Sequence, residues 1–210
     1  MIETICNKLI DRIRVKMPEV DDERAEIINY GLQLVIGEIP KAFVILGLAY
    51  LLGVFELSIF ALLVVAPYRT FSGGFHLKSH IGCILGTTLF YCVPALIGKY
   101  VEFSFVYTKY ILAVCIWIFS MIMIKLYAPA DTENVPILRK KDRRIKKVMS
   151  YITMTITLII SLILENSVFS SIIIISVLFQ SISITRLAYK ITRNKYGYEE
   201  YCKTQEQAIL

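Results

Sequence analysis

The sequence predicts an all-α membrane protein: a polytopic helical bundle of about six membrane segments, with an amphipathic N-terminal helical region. Of its 210 residues, 56% are hydrophobic and 19% are charged, whereas soluble domains have about 45–50% apolar and about 25% charged residues. Glu56 is the only charged residue between Lys41 and Arg69, and none lies between Lys78 and Lys99. Such stretches approach the roughly 17–25 apolar residues that cross a bilayer. This pattern excludes secreted domains, soluble enzymes and nucleic-acid binders, so the net charge of +6 reflects membrane topology.

Residues 1–38 are predicted to form an amphipathic region rather than a span. Apolar residues recur there at steps of three and four: Ile2, Ile5, Leu9, Ile13 and Met17. Lys8, Arg12 and Lys16 recur at steps of four on another face. The pattern is typical of a helix lying in the membrane interface, and equally of a helix packed on the cytoplasmic side of the protein itself. We expect no cleavable signal peptide, because residues 1–26 lack an apolar core.

Residues 39–68 are predicted to form a helical hairpin. One helix over 42–68 would be about 40 Å long, which exceeds the roughly 30 Å hydrocarbon core of a bilayer. A turn near Gly53–Glu56 would instead give two short limbs, shallow or partly re-entrant. We favour the turn, because an acidic residue at the centre of a span is costly.

Clearer spans follow, and the basic residues orient them. We predict spans at 81–98, 104–125, 148–164 and 167–186. The inner segments are then 1–41, 69–80, 125–147 and 186–210, and they hold 21 of the 23 Lys and Arg residues, as the positive-inside rule expects. Both termini and the 69–80 loop should therefore face the cytoplasm. The predicted division is an amphipathic region 1–38, a membrane-embedded domain 39–186 and a cytoplasmic C-terminal tail 187–210.

The 69–80 loop carries the candidate chemistry, because both histidines of the protein lie in it. Gly73 and Gly74 allow backbone conformations that are closed to other residues, so the chain can turn sharply before His76. Cys83 follows at the start of the next apolar segment. A Cys–His pair is the minimum for nucleophilic catalysis, since the imidazole takes the thiol proton and the thiolate attacks a carbonyl.

Geometry restricts how His76 and Cys83 could meet. On one continuous helix these two residues would share a face but lie roughly 10 Å apart along the axis, too far for a hydrogen bond. His76 must therefore sit on the glycine-rich loop, folded back over a helix that begins near Ser79 or His80. A thiol in the first turn of that helix gains thiolate character from the positive end of the helix dipole.

Three other interpretations of this loop stay open. Cys83 can be a packing residue, like the remaining cysteines, whose number and spacing show no disulfide framework. His76, His80 and Cys83 are also spaced as three zinc ligands on one helical face. The loop can finally be a solvated, positively charged cytoplasmic segment without chemistry.

The pattern Arg69-x3-Gly73-Gly74-x-His76-x6-Cys83, between two spans of a 210-residue polytopic protein, resembles the accessory gene regulator protein B (AgrB) family. The members of that family are membrane cysteine endopeptidases of Gram-positive quorum-sensing systems. The resemblance implies that His76 and Cys83 form the catalytic pair. Arg69, Gly73 and Gly74 would support activity, and neither a cofactor nor a metal is expected.

The resemblance also implies a substrate and a location. The substrate would be an AgrD-type propeptide with an amphipathic leader, a cysteine-containing signal segment and an acidic C-terminal tail, and the enzyme would lie in a bacterial cell membrane. Cys83 would be acylated as the tail leaves, and the peptide's own cysteine would then form a cyclic thiolactone. His80 lies outside the family motif and would be a bystander. A homodimer is a further expectation.

Basic residues outside the motif have two interpretations each. Seven of the nine residues at 139–147 are Lys or Arg, matching a basic segment of the family. Within it, four residues would attract an acidic tail or anchor the topology against anionic lipid: Lys140, Lys141, Arg143 and Arg144. Arg69 could clamp a substrate carboxylate, to which its planar guanidinium is suited, or snorkel to the membrane interface.

The alternative from another functional class is a non-catalytic transporter subunit or scaffold, docked by its amphipathic N-terminus. Carriers are expected to show intramembrane charges or paired broken helices. In this sequence only Glu56, Lys109 and Pro94 offer such features. The endopeptidase interpretation is therefore favoured.

Overall fold

The structure is a computed structural model, and it describes residues 2–17, 19–77, 80–100, 106–133 and 136–209. The helices in these residues are α1 (Ile2–Lys16), α2 (Asp22–Leu51), α3 (Phe55–Ser72), α4 (His80–Tyr100), α5 (Val106–Tyr127), α6 (Lys140–Ile163), α7 (Ser167–Ser183), α8 (Arg186–Ile191) and α9 (Gly197–Ile209). The predicted all-α architecture is confirmed. The chain divides into two compact units, which we call the N-terminal unit (Met1–Leu48) and the bundle unit (Ala49–Leu210).

In the N-terminal unit, the apolar side of α1 packs on the first turns of α2. Ile10 of α1 is buried together with Val20 and Ala25. The Arg14 side chain forms an ion pair with Asp22, with 2.7 Å between Nη2 and Oδ1. The amphipathic pattern of the first residues therefore produces two helices that pack on each other, and the second continues into the first apolar limb.

The turn predicted near Gly53–Glu56 separates α2 from α3. Gly53 has a φ of +66°, and the N–H groups of Gly53 and Val54 donate to the carbonyls of Tyr50 and Ala49. This is the Schellman arrangement with which a glycine ends a helix. A single helix across this region is thus excluded. The second limb, α3, is longer than the short limb that we expected.

Six apolar helical segments are present in the part of the chain that the structure describes, as predicted. The helices α3, α4, α5 and α6 are long and apolar enough to cross a membrane, whereas Ala42–Leu51 and α7 are shorter. The helix α6 begins at Lys140 rather than at residue 148, because Lys and Arg are good helix formers and the basic segment extends the apolar helix. The protein is a multi-pass membrane protein.

The helix α7 lies at the centre of the bundle unit. It packs against α3, α4, α5 and α6, and ten of its 17 residues are buried, five of them serines. At Gly98 of α4, a Cβ would lie 2.4 Å from Cγ1 of Ile172 on α7. The glycine therefore permits a close contact between α4 and α7.

Three connecting segments of the bundle unit lie together at one of its ends. Backbone contacts join the α3–α4 loop to the α5–α6 connection through Gly73 and Ala130, and that connection to the segment after α8 through Thr132 and Tyr196. At the opposite end, Lys99 contacts the α2–α3 turn. The inner segments predicted within this unit therefore lie together at one end of the bundle.

Candidate active site

The α3–α4 loop, described over residues 73–77, begins with a turn that only glycine fits. Gly73 has a φ of +74°, and its N–H donates to the Arg69 carbonyl at 2.9 Å. A Cβ at Gly73 would lie 2.2 Å from the Ala130 oxygen, and one at Gly74 would lie 2.9 Å from Ser183 Oγ. The sharp turn predicted at this glycine pair is confirmed, and it brings the loop into close contact with two other elements.

The loop brings His76 and Cys83 to one cavity. His76 follows the turn, and Cys83 lies in the first turn of α4, which begins at His80. Both line a cavity of about 30 Å³, which is room for about one water molecule. Leu77 of the loop packs on Gly86, where a Cβ would lie 2.6 Å from Leu77 Cδ1. The loop is therefore folded over α4, which is the arrangement that a Cys–His pair requires here.

Arg69 lies on the wall of the same cavity and is held there by other parts of the protein. Its Nη1 donates to Gln180 Oε1 at 3.1 Å, and its Nη2 donates to the Phe75 carbonyl at 3.3 Å. Its guanidinium carbon lies 4.8 Å from the centre of the Phe90 ring, which is a cation–π distance. Arg69 thus links α3, α4, α7 and the loop instead of snorkelling to the membrane interface.

Two amide side chains from other parts of the chain hold the loop, and no sequence pattern predicted this role for either of them. Gln180 of α7 donates through Nε2 to the Gly73 carbonyl at 2.7 Å and to Ser72 Oγ at 2.8 Å. Asn194, after α8, donates through Nδ2 to the His76 carbonyl at 2.8 Å. Gln180 is the only amide side chain in α7, where the other residues are apolar or serine. This single amide was the signal that the sequence offered. No sequence pattern marks Asn194.

The segment between α5 and α6 is a third support of the loop. The Ala130 N–H donates to the Ser72 carbonyl at 2.8 Å, and the Ala130 carbonyl accepts from the Gly74 N–H at 3.0 Å. The Tyr189 hydroxyl donates to the same carbonyl at 2.9 Å. Burial raises the pKa of Tyr189 above its ordinary value, so the hydroxyl stays protonated and remains a hydrogen-bond donor.

A larger groove adjoins the cavity at His76. The groove has a volume of about 500 Å³ and shares Arg69, His76 and Tyr91 with the cavity. This volume is within the range of about 300–1,000 Å³ that is usual for ligand pockets. His76 thus lines both a small cavity that contains Cys83 and a groove large enough for several residues of a peptide.

The chain is similar to known proteins over nearly its whole length. The sequence model of the family described as accessory gene regulator B matches residues 3–184. The chain belongs to the AgrB family. An AgrB-like protein of Listeria monocytogenes serotype 4a is 27% identical over 201 residues, which cover 95% of this chain and 94% of that protein. An AgrB-like protein of Clostridium acetobutylicum is 25% identical over 209 residues, or 98% of each chain.

Membership of the AgrB family confirms the resemblance that the motif indicated. The family is associated with accessory gene regulator quorum sensing and with the processing of autoinducers, which implies an AgrD-related partner. No solved structure matches the chain.

In the basic segment 139–147 of this AgrB-family protein, Arg143 forms an ion pair within the protein. Arg143 Nη1 lies 3.0 Å from Oδ2 of Asp131, whose side chain is buried. The same carboxylate oxygen accepts from the N–H groups of Ile137 at 2.9 Å and Tyr198 at 3.1 Å. Arg143 therefore holds the α5–α6 connection, which in turn supports the loop.

The other basic residues of the segment point to different surfaces. Lys140 and Lys141 are exposed at the start of α6. Arg144 lines a separate groove of about 390 Å³, together with Lys147. Lys146, which is not among the four basic residues predicted to bind the tail, lines the groove beside the loop. Its position within the basic segment was the available signal, but helical periodicity alone could not show which member faces the site.

The zinc interpretation depends on a side chain outside the described residues. Among the side chains that the structure describes, no group of three His, Cys, Asp or Glu residues could hold a metal ion. The side chain of His80 is not among them, so a zinc site of His76, His80 and Cys83 stays a prediction. The cysteines are free thiols, as a nucleophilic role of Cys83 requires.

Proposed function

We propose that this protein is a membrane cysteine endopeptidase that removes the C-terminal tail of an AgrD-type autoinducer propeptide, leading to a cyclic thiolactone. The observation that supports this most is the cavity shared by His76, Cys83 and Arg69, in a family that acts in autoinducer processing. An imidazole and a thiol beside one cavity supply the base and the nucleophile that acyl transfer needs.

In the first step, the His76 imidazole takes the proton of the Cys83 thiol, and the thiolate attacks the carbonyl carbon of the scissile peptide bond. A C–S bond forms, the C–N bond breaks, and the proton on His76 passes to the nitrogen of the departing tail. The signal segment stays on Cys83 as a thioester. Arg69 contributes a fixed positive charge on the cavity wall, which would stabilise the oxyanion formed during the attack.

The second step releases the signal segment from Cys83. Attack by the peptide's own cysteine thiol exchanges one thioester for another, closes the thiolactone and returns a proton to the Cys83 thiolate. Attack by water would give a linear acid instead. Phe75, Leu77 and Phe90 line the cavity, and such a confined apolar site limits the access of water to the thioester. Cyclisation is therefore favoured over hydrolysis.

The groove beside His76 is the binding site that this proposal assigns to the residues around the cut. Lys146 lines the groove, and its ammonium would attract the acidic tail of the propeptide. Lys140 and Lys141, exposed on the first turn of the same helix, would extend the attraction to acidic residues further along the tail. Arg144 would act mainly on tails that reach the separate groove.

The catalytic unit of this proposal extends beyond the predicted membrane-embedded domain 39–186. Residues of the predicted tail 187–210 contact the site: Tyr189 bonds to Ala130, and Asn194 bonds to the His76 carbonyl. The proposed enzyme therefore needs its C-terminal segment as a support of the loop.

The proposal places the loop and both termini on the cytoplasmic side, because 21 of the 23 basic residues belong to the predicted inner segments. In a variant without native cysteines, Thr70→Cys should resist an impermeant maleimide in intact cells and react after permeabilisation. Leu52→Cys, in the α2–α3 turn, should react in intact cells. Labelling of both residues, or of Thr70→Cys alone, in intact cells would overturn this orientation.

Substitutions in the loop test the proposed function. Cys83→Ala, His76→Ala and His80→Ala would each be co-expressed with the propeptide, and the released tail would be measured. Cys83→Ala and His76→Ala should each abolish cleavage, because neither partner of the pair works well alone. His80→Ala should keep most of the activity.

Other results of this series have distinct meanings. If all three variants lose activity and a chelator inhibits the native protein, the loop is a zinc site. If none affects cleavage beyond a change in protein level, Cys83 is a packing residue and the proposal is wrong. A transporter subunit or scaffold would release no tail even in the native form.

A further inference from the structure

We propose that Gln180 is a positioning residue for the His76–Cys83 pair, because its one side chain fixes both the glycine turn and Arg69. This inference rests on the proposed function, since it assigns a support to the same site. Gln180 lies on α7, more than a hundred residues along the chain from the loop, and it belongs to no part of the loop motif.

The contacts of Gln180 use both ends of its amide. The side chain is fully buried, with no exposed surface. Its Nε2 donates to the Gly73 carbonyl at 2.7 Å and to Ser72 Oγ at 2.8 Å, and its Oε1 accepts from Arg69 Nη1 at 3.1 Å. Arg69 can only donate and the Gly73 carbonyl can only accept, so these two partners together fix which way the amide points.

The surroundings explain why such a residue needs partners. A buried amide without hydrogen bonds is costly, and α7 is otherwise composed of apolar side chains and serines. Ser171, Ser181 and Ser183 bond to carbonyls of their own helix. Gln180 bonds instead to the turn and to the end of α3, so its hydrogen bonds join the central helix to the loop.

Both members of the proposed pair depend on these bonds. The Gly73 carbonyl precedes His76 by only three residues, and Arg69 also holds the carbonyl of Phe75, which is next to His76. Arg69 stacks on Phe90 of α4, the helix that carries Cys83. The amide of Gln180 therefore connects the segment that carries the base with the helix that carries the nucleophile.

Loss of this amide should reduce catalysis without removing the substrate site. Gln180→Met keeps a similar side-chain volume but cannot bond to the turn or to Arg69, so the loop can shift over α4. A displacement of about 1 Å can lower a rate about 100-fold. We therefore expect Gln180→Met to lower kcat by about this factor and to change KM much less, because Gln180 does not itself line the groove that binds the peptide.

Gln180→Glu separates the two halves of the contact. A carboxylate keeps an acceptor for Arg69 but cannot donate to the Gly73 carbonyl. The positioning role predicts that kcat falls for Gln180→Glu as well, because the turn has lost its donor. If Arg69 alone mattered, Gln180→Glu would be as active as the native protein. That result would overturn the claim that Gln180 positions the turn.

The experiment uses the full-length protein in vesicles, with Cys6, Cys92, Cys115 and Cys202 replaced by alanine so that Cys83 is the only thiol. Iodoacetamide is the probe, because its rate of reaction reports how readily the thiolate forms. Cleavage of the propeptide gives kcat and KM, and thermal unfolding checks the fold. The matched control is Ser176→Ala, because the Ser176 hydroxyl lies one turn earlier on α7, is buried and has no hydrogen-bond partner among the described residues.

The expected results are specific to positioning. The parent is the protein in which Cys83 is the only thiol. Gln180→Met should slow the alkylation of Cys83 toward the rate of the His76→Ala variant, and Ser176→Ala should react like the parent. A Gln180→Met variant that keeps the parent's alkylation rate and kcat overturns the inference, as does one whose losses only follow reduced thermal stability. If Gln180→Met does not accumulate, Gln180→Glu gives the same decision.

The proposed function and this inference can fail separately. If Cys83→Ala still cleaves the propeptide, the proposed function is wrong. It is also wrong if Cys83 of the parent is alkylated no faster than Cys83 of the His76→Ala variant. If the parent passes both tests and Gln180→Met behaves like the parent, only the positioning role is wrong.

Discussion

A turn lies at each end of α3, and each contains a glycine with positive φ. The two turns differ in the hydrogen bonds and contacts that hold them. In the α2–α3 turn, Gly53 and Val54 bond to carbonyls of the helix that has just ended. Among the residues that the structure describes, a Cβ at Gly53 would meet only the Lys99 Nζ, at 3.7 Å. In the α3–α4 turn, a Cβ at Gly73 would lie 2.2 Å from the Ala130 oxygen, because another segment of the chain is bonded directly to the turn.

The difference shows what each turn has to do. The α2–α3 turn only separates two helices. Besides the bonds that end its own helix, it receives one remote side-chain bond, from Lys99 to the Gly53 carbonyl. The α3–α4 turn has to hold His76 at a defined place over α4, and it is bonded to α7, to the α5–α6 connection and to the segment after α8. We infer that a turn that carries chemistry is distinguished by several remote bonds, including bonds to its backbone from three elements, whereas a turn that only joins helices needs few.

The largest contrast between the two turns is expected from adding a methyl group to each glycine. Gly73→Ala should abolish detectable cleavage, because the new Cβ forces the turn away from Ala130 and displaces His76, and about 1 Å of displacement already costs about 100-fold. Gly53→Ala should lower stability by only about 1–2 kcal/mol, the cost of a left-handed alanine, and keep cleavage. Released tail and thermal unfolding measure the two effects. Equal losses of cleavage in both variants would remove the distinction between the turns.

A smaller contrast is expected from the side chains that bond to a carbonyl of each turn. Asn194→Ala removes the donor to the His76 carbonyl and should lower kcat by roughly fivefold to tenfold, since one hydrogen bond contributes about 1 kcal/mol. Lys99→Ala removes the donor to the Gly53 carbonyl and should leave kcat unchanged. The two variants would be compared at matched protein levels. An Asn194→Ala variant as active as Lys99→Ala would show that the His76 carbonyl needs no support.

The smallest effect concerns the charges near the α3–α4 turn. Lys146→Gln should raise KM by about two- to fivefold and make it less sensitive to salt, because partly exposed charges contribute about 0.2–1 kcal/mol and are screened. Arg144→Gln, in the separate groove, should raise KM less. The reverse order would place the acidic tail in the groove lined by Arg144 and Lys147.

The sequence was sufficient for features whose cause is local. Uncharged stretches predicted the spans, Gly53 and Gly73–Gly74 predicted the turns, and the geometry of a helix predicted that His76 had to lie on a loop before a helix starting near His80. The anchors of that loop could not be predicted in the same way. Gln180 and Asn194 lie 107 and 118 residues away from their partners, and a hydrogen bond over such a separation leaves no periodic pattern.

The basic segment is a second case in which the sequence did not predict the contacts. Its charge predicted an attraction for an acidic tail, but the partner of Arg143 is Asp131, a buried residue of the preceding connection. Which basic residues remain open to a ligand depends on the rotation of α6 against its neighbours. That rotation is set by packing between helices, so the sequence does not distinguish Lys146 from the other basic residues of the segment.

The most direct measurement of the central claim is the mass of Cys83 during turnover. The native protein would be mixed with a propeptide whose own cysteine is replaced by alanine, so that the second step cannot occur by thioester exchange, and the reaction would be quenched in acid. Mass spectrometry should then find the leader and signal segment attached to Cys83, and neutral hydroxylamine should remove them, because a thioester is cleaved by that nucleophile. Cleavage of the tail with no adduct on Cys83, or with an adduct that persists in Cys83→Ala, would contradict the proposed mechanism.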